Sequence, residues 1–167
     1  MTNKERALMV AEVAHRNQTY DIYPYTYHVK RVANRAESLG YDEAIVISCI
    51  LHDTLEDTDL SYKDLRKAFG VEVAEIVYCV TDELGRNRIE KKQKTFPKIK
   101  SNWKATVVKI CDRIENVTQS LQYNEAKLKM YKSEHKYFVE AISNPHHPQD
   151  EVGKAWGVLN DLMNTNK

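Results

Sequence analysis

Apolar side chains recur along the chain at helical spacing, with no strand-like alternation. In residues 4–16 (KERALMVAEVAHR), Ala7, Leu8, Ala11, Val13 and Ala14 share one side and predict a first amphipathic helix. A tyrosine-rich loop over 17–24 follows. Pro24 suits the start of a second helix, and Gly40 behind Leu39 suits its end. Asp42 can cap a third helix containing AIVISCILHD, whose first two turns are apolar on nearly every face and mark it as the central helix of a bundle. Ser61 and Asp64 have capping-box spacing for a short helix that stops at Gly70. Val73, Ile76, Val77 and Val80 predict another helix over 71–84, closed by Gly85. Residues 86–104 are the most polar part and read as an exposed helix, a mobile loop, or both. Asn102 or Ser101 can cap the next long helix, through TVVKICDRIENV. Two more helices are expected, around 125–142 and after Pro148. Without repeats or linkers, the pattern predicts an all-α bundle forming one domain over 1–167.

Composition supports this reading. With only five Gly and four Pro in 167 residues, turn-makers are scarce, as in long helices joined by short loops. Apolar residues (42%) suffice for a core, while 29% charged residues and a mean hydropathy of −0.61 describe a water-facing surface. Lys and Arg total 25 against 24 Asp and Glu, so a partner bound through bulk positive charge, nucleic acid above all, is not expected. The apolar run 44–51 is far short of the ~20 residues that span a bilayer. The start, MTNKERALMV, has no signal-peptide pattern. Cys49, Cys79 and Cys111 form an odd set in apolar runs, which suggests buried thiols and a cytoplasmic setting.

The chemistry concentrates in two segments. LHDTLEDT (51–58) puts His52, Asp53, Glu56 and Asp57 at the polar end of a buried helix, with Glu56 four residues after His52 and Asp57 four after Asp53. Carboxylates crowded beside an apolar helix repel one another unless a cation or strong donors compensate. The alternative is a cap for the next segment, by Asp57 or Asp59. VKICDRIENV (108–117) carries Asp112 and Asn116 on one face of a mostly apolar stretch. Arg113 could pair with Asp112 structurally, or Lys109 and Arg113 could meet a substrate phosphate. His28, in the second helix, reads alone as a hydrogen-bonded core histidine. Together, His28, His52, Asp53 and Asp112 from three helices make an N₂O₂ set suited to Mn²⁺, Fe²⁺ or Zn²⁺. Glu56 and Asp57 would then orient water, relay its proton or bind a further cation.

In these segments the sequence resembles the HD-domain metal-dependent phosphohydrolases, and among them the RelA/SpoT-type alarmone hydrolases. The likeness runs over 11–138 through AHRNQ (14–18), PYTYH (24–28), LHDTLEDT (51–58), VTDELG (80–85) and VKICDRIENV (108–117). It implies an all-helical HD bundle with Mn²⁺ on His28, His52, Asp53 and Asp112. It also implies water activation by Glu56 and Asp57 for cleavage of a 3′-pyrophosphate, a ribose contact by Asn116, and a phosphorylated nucleotide as substrate. Two positions depart from that pattern. The loop 18–23 (QTYDIY) lacks the Arg-Lys pair that holds the guanine base, leaving Tyr20 to stack on a base, and Val29 replaces a common proline. Another nucleotide, such as a dinucleotide 2′-phosphate, or metal-dependent nucleotide binding without catalysis, are the alternatives. Residues 86–104 hold eight Lys or Arg and one Glu and either steer phosphate or form a solvated face. His146 and His147, in a predicted turn, receive no role.

Overall fold

Helix caps set most of the architecture. The structure, a computed structural model, describes residues 1–165; the last two positions of the expected 1–167 domain lie outside them. Thr2 closes a capping box with Glu5 ahead of α1 (Asn3–Ala14). The loop after α1 contains a small antiparallel ladder absent from the sequence reading, β1 (Thr19–Tyr20) paired with β2 (Tyr23–Pro24). Pro24 therefore belongs to β2, and α2 (Thr26–Ser38) starts two residues later. Gly40 lies behind it at φ +78°, a conformation glycine adopts without steric cost.

Asp42 caps α3 (Glu43–Leu51), accepting the Ile45 N–H at 3.0 Å. The expected continuation of this helix through 52–57 is interrupted at His52–Asp53. Side chains take up the carbonyls there: His52 Nδ1 lies 2.7 Å from the Cys49 oxygen, and the Thr54 hydroxyl donates to that of Leu51 at 2.7 Å. A four-residue helix, α4 (Thr54–Asp57), resumes after the turn, and the Asp57 N–H donates to the Asp53 carbonyl. Neither Asp57 nor Asp59 caps α5 (Tyr62–Phe69); Ser61 does, in the expected box with Asp64. α6 (Val71–Val80) ends four residues earlier than expected, where the Thr81 hydroxyl takes the Val77 carbonyl at 2.7 Å. Gly85 lies in the following loop, where an added Cβ would meet the Lys91 nitrogen at 2.8 Å.

The polar segment forms α7 (Arg88–Ser101), which buries Thr95, Phe96 and Ile99. Asn102 caps α8 (Trp103–Tyr123), accepting from the N–H groups of Lys104 and Ala105. α9 (Glu125–Ile142) and α10 (Gln149–Met163) complete the chain. α3 is buried from Ile45 to Leu51, yet α8 is the hub. It packs against α2, α3, α6, α7, α9 and α10, with Val107, Val108, Ile110, Cys111 and Ile114 fully enclosed. No helix among the described residues is long and apolar enough to cross a membrane.

The cap assignment is directly testable. Asn102→Ala is expected to cost about 1 kcal/mol of stability in urea unfolding, whereas Ser101→Ala stays within about 0.5 kcal/mol. Equal losses would assign the cap wrongly.

Candidate metal centre

Four side chains from α2, the α3–α4 turn and α8 meet in the bundle. The break after Leu51 turns His52 and Asp53 off the apolar helix. Arg31 and Arg35 of α2 both donate to buried Glu115 of α8, at 3.0 and 2.9 Å, and so fix the face of α2 that carries His28 beside the face that carries Asp112. His28 Nε2 is 3.0 Å from Asp112 Oδ1. His52 Nε2 is 2.9 Å from Asp53 Oδ2 and 3.5 Å from Asp112 Oδ1. One ligand atom each of His28, His52 and Asp53 lies within 4.8 Å of the others, and the same holds for Asp53, Glu56 and Asp57. His28, His52 and Asp112 are buried, whereas Glu56 and Asp57 face the rim.

This donor set fits a divalent cation. His52 Nδ1 faces the Cys49 carbonyl and so carries a proton, which leaves Nε2 pointing among carboxylate oxygens, where it must either hold a second proton or offer its lone pair to a cation. That nitrogen is buried and in line with no hydrogen-bond partner despite the short distances. Acceptors cannot face each other there unless a proton or a cation lies between them. Separations of 2.9–3.5 Å match neighbouring donors around one ion with bonds of about 2.0–2.2 Å.

The electrostatics carry the same demand for positive charge. Burial disfavours a charged His52, yet Asp53 and Asp112 hold its pKa well above the ordinary value. Burial likewise opposes ionisation of Asp112, but Lys109 and the two imidazoles keep its carboxyl well below the usual range. Asp53 is lowered against the same opposition by His52. At the rim the direction reverses. Desolvation raises Glu56, partly offset by the Asp82 N–H that donates to its Oε1 at 2.7 Å. Desolvation and the Asp53 charge raise Asp57.

Several neighbours differ from expectation. Asp112 pairs with Lys109, whose Nζ lies 2.9 Å from Oδ2, a spacing of three residues that the sequence makes readable. Arg113 instead bonds Glu134 at 3.1 Å, under the rings of Phe138 and Tyr131. Asn116 donates to Asp112 Oδ1 at 2.7 Å, and Tyr20 donates to Asn116 Oδ1. Sequence reasoning missed the hydroxyl of Tyr25, which donates to Asp53 Oδ2 at 2.5 Å. It also missed the bracket in which His15 Nδ1 meets Gln18, whose amide donates to the Asp57 carbonyl at 2.7 Å. Of the eight basic side chains in 86–104, six are paired: Arg86, Arg88, Lys92, Lys94, Lys98 and Lys104. Lys92 and Lys98 hold Asp82 and Glu83, so this face of α7 pins the loop that contacts Glu56. A groove of about 740 Å³, lined by Met9, Val10, Val13 and Leu60, includes Asp57 but none of the four converging residues. Apart from Asp57, the imidazole and carboxylate groups that converge lie outside that groove.

The sequence profile described as HD domain matches residues 7–136. The chain belongs to the HD-domain family. This HD domain is 33% identical over 121 residues to the guanosine-3′,5′-bis(diphosphate) 3′-pyrophosphohydrolase MESH1 of Drosophila melanogaster, covering 71% of this chain and 67% of that protein. It is 33% identical over 111 residues to the guanosine-3′,5′-bis(diphosphate) 3′-pyrophosphohydrolase of Aquifex aeolicus, covering 64% of this chain but only 16% of that longer relative. The fold matches the solved structure of a metazoan ortholog of SpoT that hydrolyzes ppGpp, with a TM-score of 0.75 and 24% identity over 96% of each chain. The expected helical HD bundle is thus the fold observed.

Arg113 is buried and committed to Glu134 and two aromatic faces. Arg113→Ala is therefore expected to lower stability in urea unfolding by about 2 kcal/mol or more and to leave divalent-metal affinity within twofold. A lost metal site with unchanged stability would place Arg113 at the cluster instead.

Proposed function

We propose that this HD domain is a divalent-metal-dependent phosphohydrolase acting on a phosphorylated nucleotide. The observation that carries the reading is the meeting of two imidazoles and two carboxylates at 2.9–3.5 Å, with two further carboxylates one turn away at the rim. His28, His52, Asp53 and Asp112 would hold the ion, with Mn²⁺ the first to test. When bound, such an ion supplies charge for the phosphoryl oxygens and makes water a stronger acid. Glu56 and Asp57, both raised above the ordinary carboxylate value by desolvation, are suited to orient the attacking water and accept its proton. The Asp82 N–H fixes Glu56, and the Gln18 amide fixes the backbone at Asp57. Lys109 keeps a cation at the cluster that can face a phosphate. Tyr25, a phenol that burial and Asp53 push far up, remains protonated and holds Asp53 by donation.

Guanosine 3′,5′-bis(diphosphate) is the substrate we favour, with release of the 3′-pyrophosphate, because the relatives similar to this chain carry that activity in their names. The absence of Lys and Arg from 18–23 makes other phosphorylated nucleotides, including a dinucleotide 2′-phosphate, the rest of the panel to assay.

A phosphate- and pyrophosphate-release screen over that panel with Mn²⁺ tests the proposal. His52→Ala and Asp53→Ala are expected to lose both turnover and bound metal. Glu56→Ala is expected to keep metal while losing about 10²–10⁴ in rate, the usual worth of a positioned acid–base group. Undiminished hydrolysis by Asp53→Ala would refute the mechanism. A nucleotide bound tightly and recovered intact would make the protein a sensor.

A further inference from the structure

Four residues close a ring beside the cluster. The Tyr20 ring lies flat on the His28 imidazole, centroids 4.5 Å apart and planes 11° from parallel. His28 Nε2 meets Asp112 Oδ1 at 3.0 Å. The Asn116 amide donates to that same oxygen at 2.7 Å, and the Tyr20 hydroxyl donates to Asn116 Oδ1 at 2.7 Å, which closes the circuit. Its members come from the β1–β2 hairpin, α2 and α8, so a surface loop is built into the cluster. The hairpin is itself tied down. Asp21 at its tip takes φ +52°, and its carboxylate accepts from the Gln119 amide of α8 at 2.9 Å.

Each contact removes a freedom the cluster cannot tolerate. An imidazole turns about two torsions, and a parallel ring against its face fixes the plane in which Nε2 points. An amide can present either its oxygen or its N–H to Asp112, and only the N–H suits a carboxylate. The phenol decides between them. As a donor it engages the amide oxygen and turns the N–H toward Asp112. Residues 18–23 offer no Lys or Arg beside this ring, and the inner face of Tyr20 is already taken by His28.

We infer that Tyr20 is a positioning residue of the metal-binding cluster, setting the plane of His28 and, through Asn116, the orientation of the Asp112 carboxylate. This rests on the reading of the cluster as a cation site and replaces the expectation that Tyr20 stacks on a nucleobase. Asn116, engaged at both ends of its amide, serves the same circuit.

The test measures Mn²⁺ affinity of the full chain by calorimetry, alongside kcat and KM for whichever nucleotide the wild type hydrolyses. Tyr20→Phe keeps the ring and loses the donor; it is expected to weaken Mn²⁺ binding about 10-fold, the lower end of the range for groups that orient metal ligands. Tyr20→Leu, which also loses the stack, should weaken it further. KM at saturating Mn²⁺ should stay within twofold for Tyr20→Phe. Adding Tyr20→Phe to Asn116→Ala should cost nothing more, because both break one circuit. Thermal unfolding of Tyr20→Phe should match the wild type, which separates positioning from folding. Unchanged Mn²⁺ affinity in both Tyr20 variants overturns the inference, as does a raised KM with intact metal binding. A wild type that binds Mn²⁺ but hydrolyses nothing defeats the proposed function and leaves the affinity comparison decisive. A wild type that binds no Mn²⁺ defeats both.

Discussion

Placing two carboxylates and two imidazoles inside a helical bundle is the constraint from which the rest of this structure follows. Unpaired, Asp112 would carry a desolvation cost of several kcal/mol on a helix otherwise filled by Val108, Ile110, Cys111 and Ile114. The fold answers with cations and donors from every side: Lys109 along the same helix, His28 and His52 across it, and the Asn116 amide one turn on. The Asp53 and Asp112 charges also hold the His52 pKa well above its ordinary value against its own burial. A divalent ion meets the same charges while letting His52 be neutral, the form in which imidazole binds metal.

The same helices that make the core aim the site. α8 is the packing hub, so any side chain on its inner face is held as firmly as the core itself. α3 must stop where it does, because the turn at His52–Asp53 swings both residues out of the apolar stack. Charges outside the cluster serve alignment. The Glu115 pair with Arg31 and Arg35 sets α2 against α8, and Lys92 and Lys98 anchor the loop that holds Glu56. Six of the eight basic side chains in 86–104 are thereby paired with carboxylates of this chain.

Much of this is legible in the amino-acid sequence. Caps such as Asp42, Ser61 and Asn102 announce themselves locally, because the side chain and the N–H it satisfies are two or three residues apart. Asp112 stood out for the opposite reason, as a carboxylate among apolar neighbours that nothing adjacent explained. What stayed hidden depends on partners far away in the chain. Tyr20 meets Asn116 across 96 positions, Glu56 meets Asp82 across 26, and Arg113 chooses Glu134 over the neighbouring Asp112. The ends of α3 and α6 are not legible either, because the apolar spacing runs on through Leu55 and Leu84, past the turn at His52–Asp53 and the extended Thr81.

The most direct measurement is a crystal structure of the Mn²⁺-soaked protein with anomalous scattering recorded at the manganese edge. One strong peak is expected within about 2.0–2.4 Å of His28 Nε2, His52 Nε2, an Asp53 oxygen and an Asp112 oxygen. A peak elsewhere, or none between these four side chains at millimolar Mn²⁺, would contradict that placement.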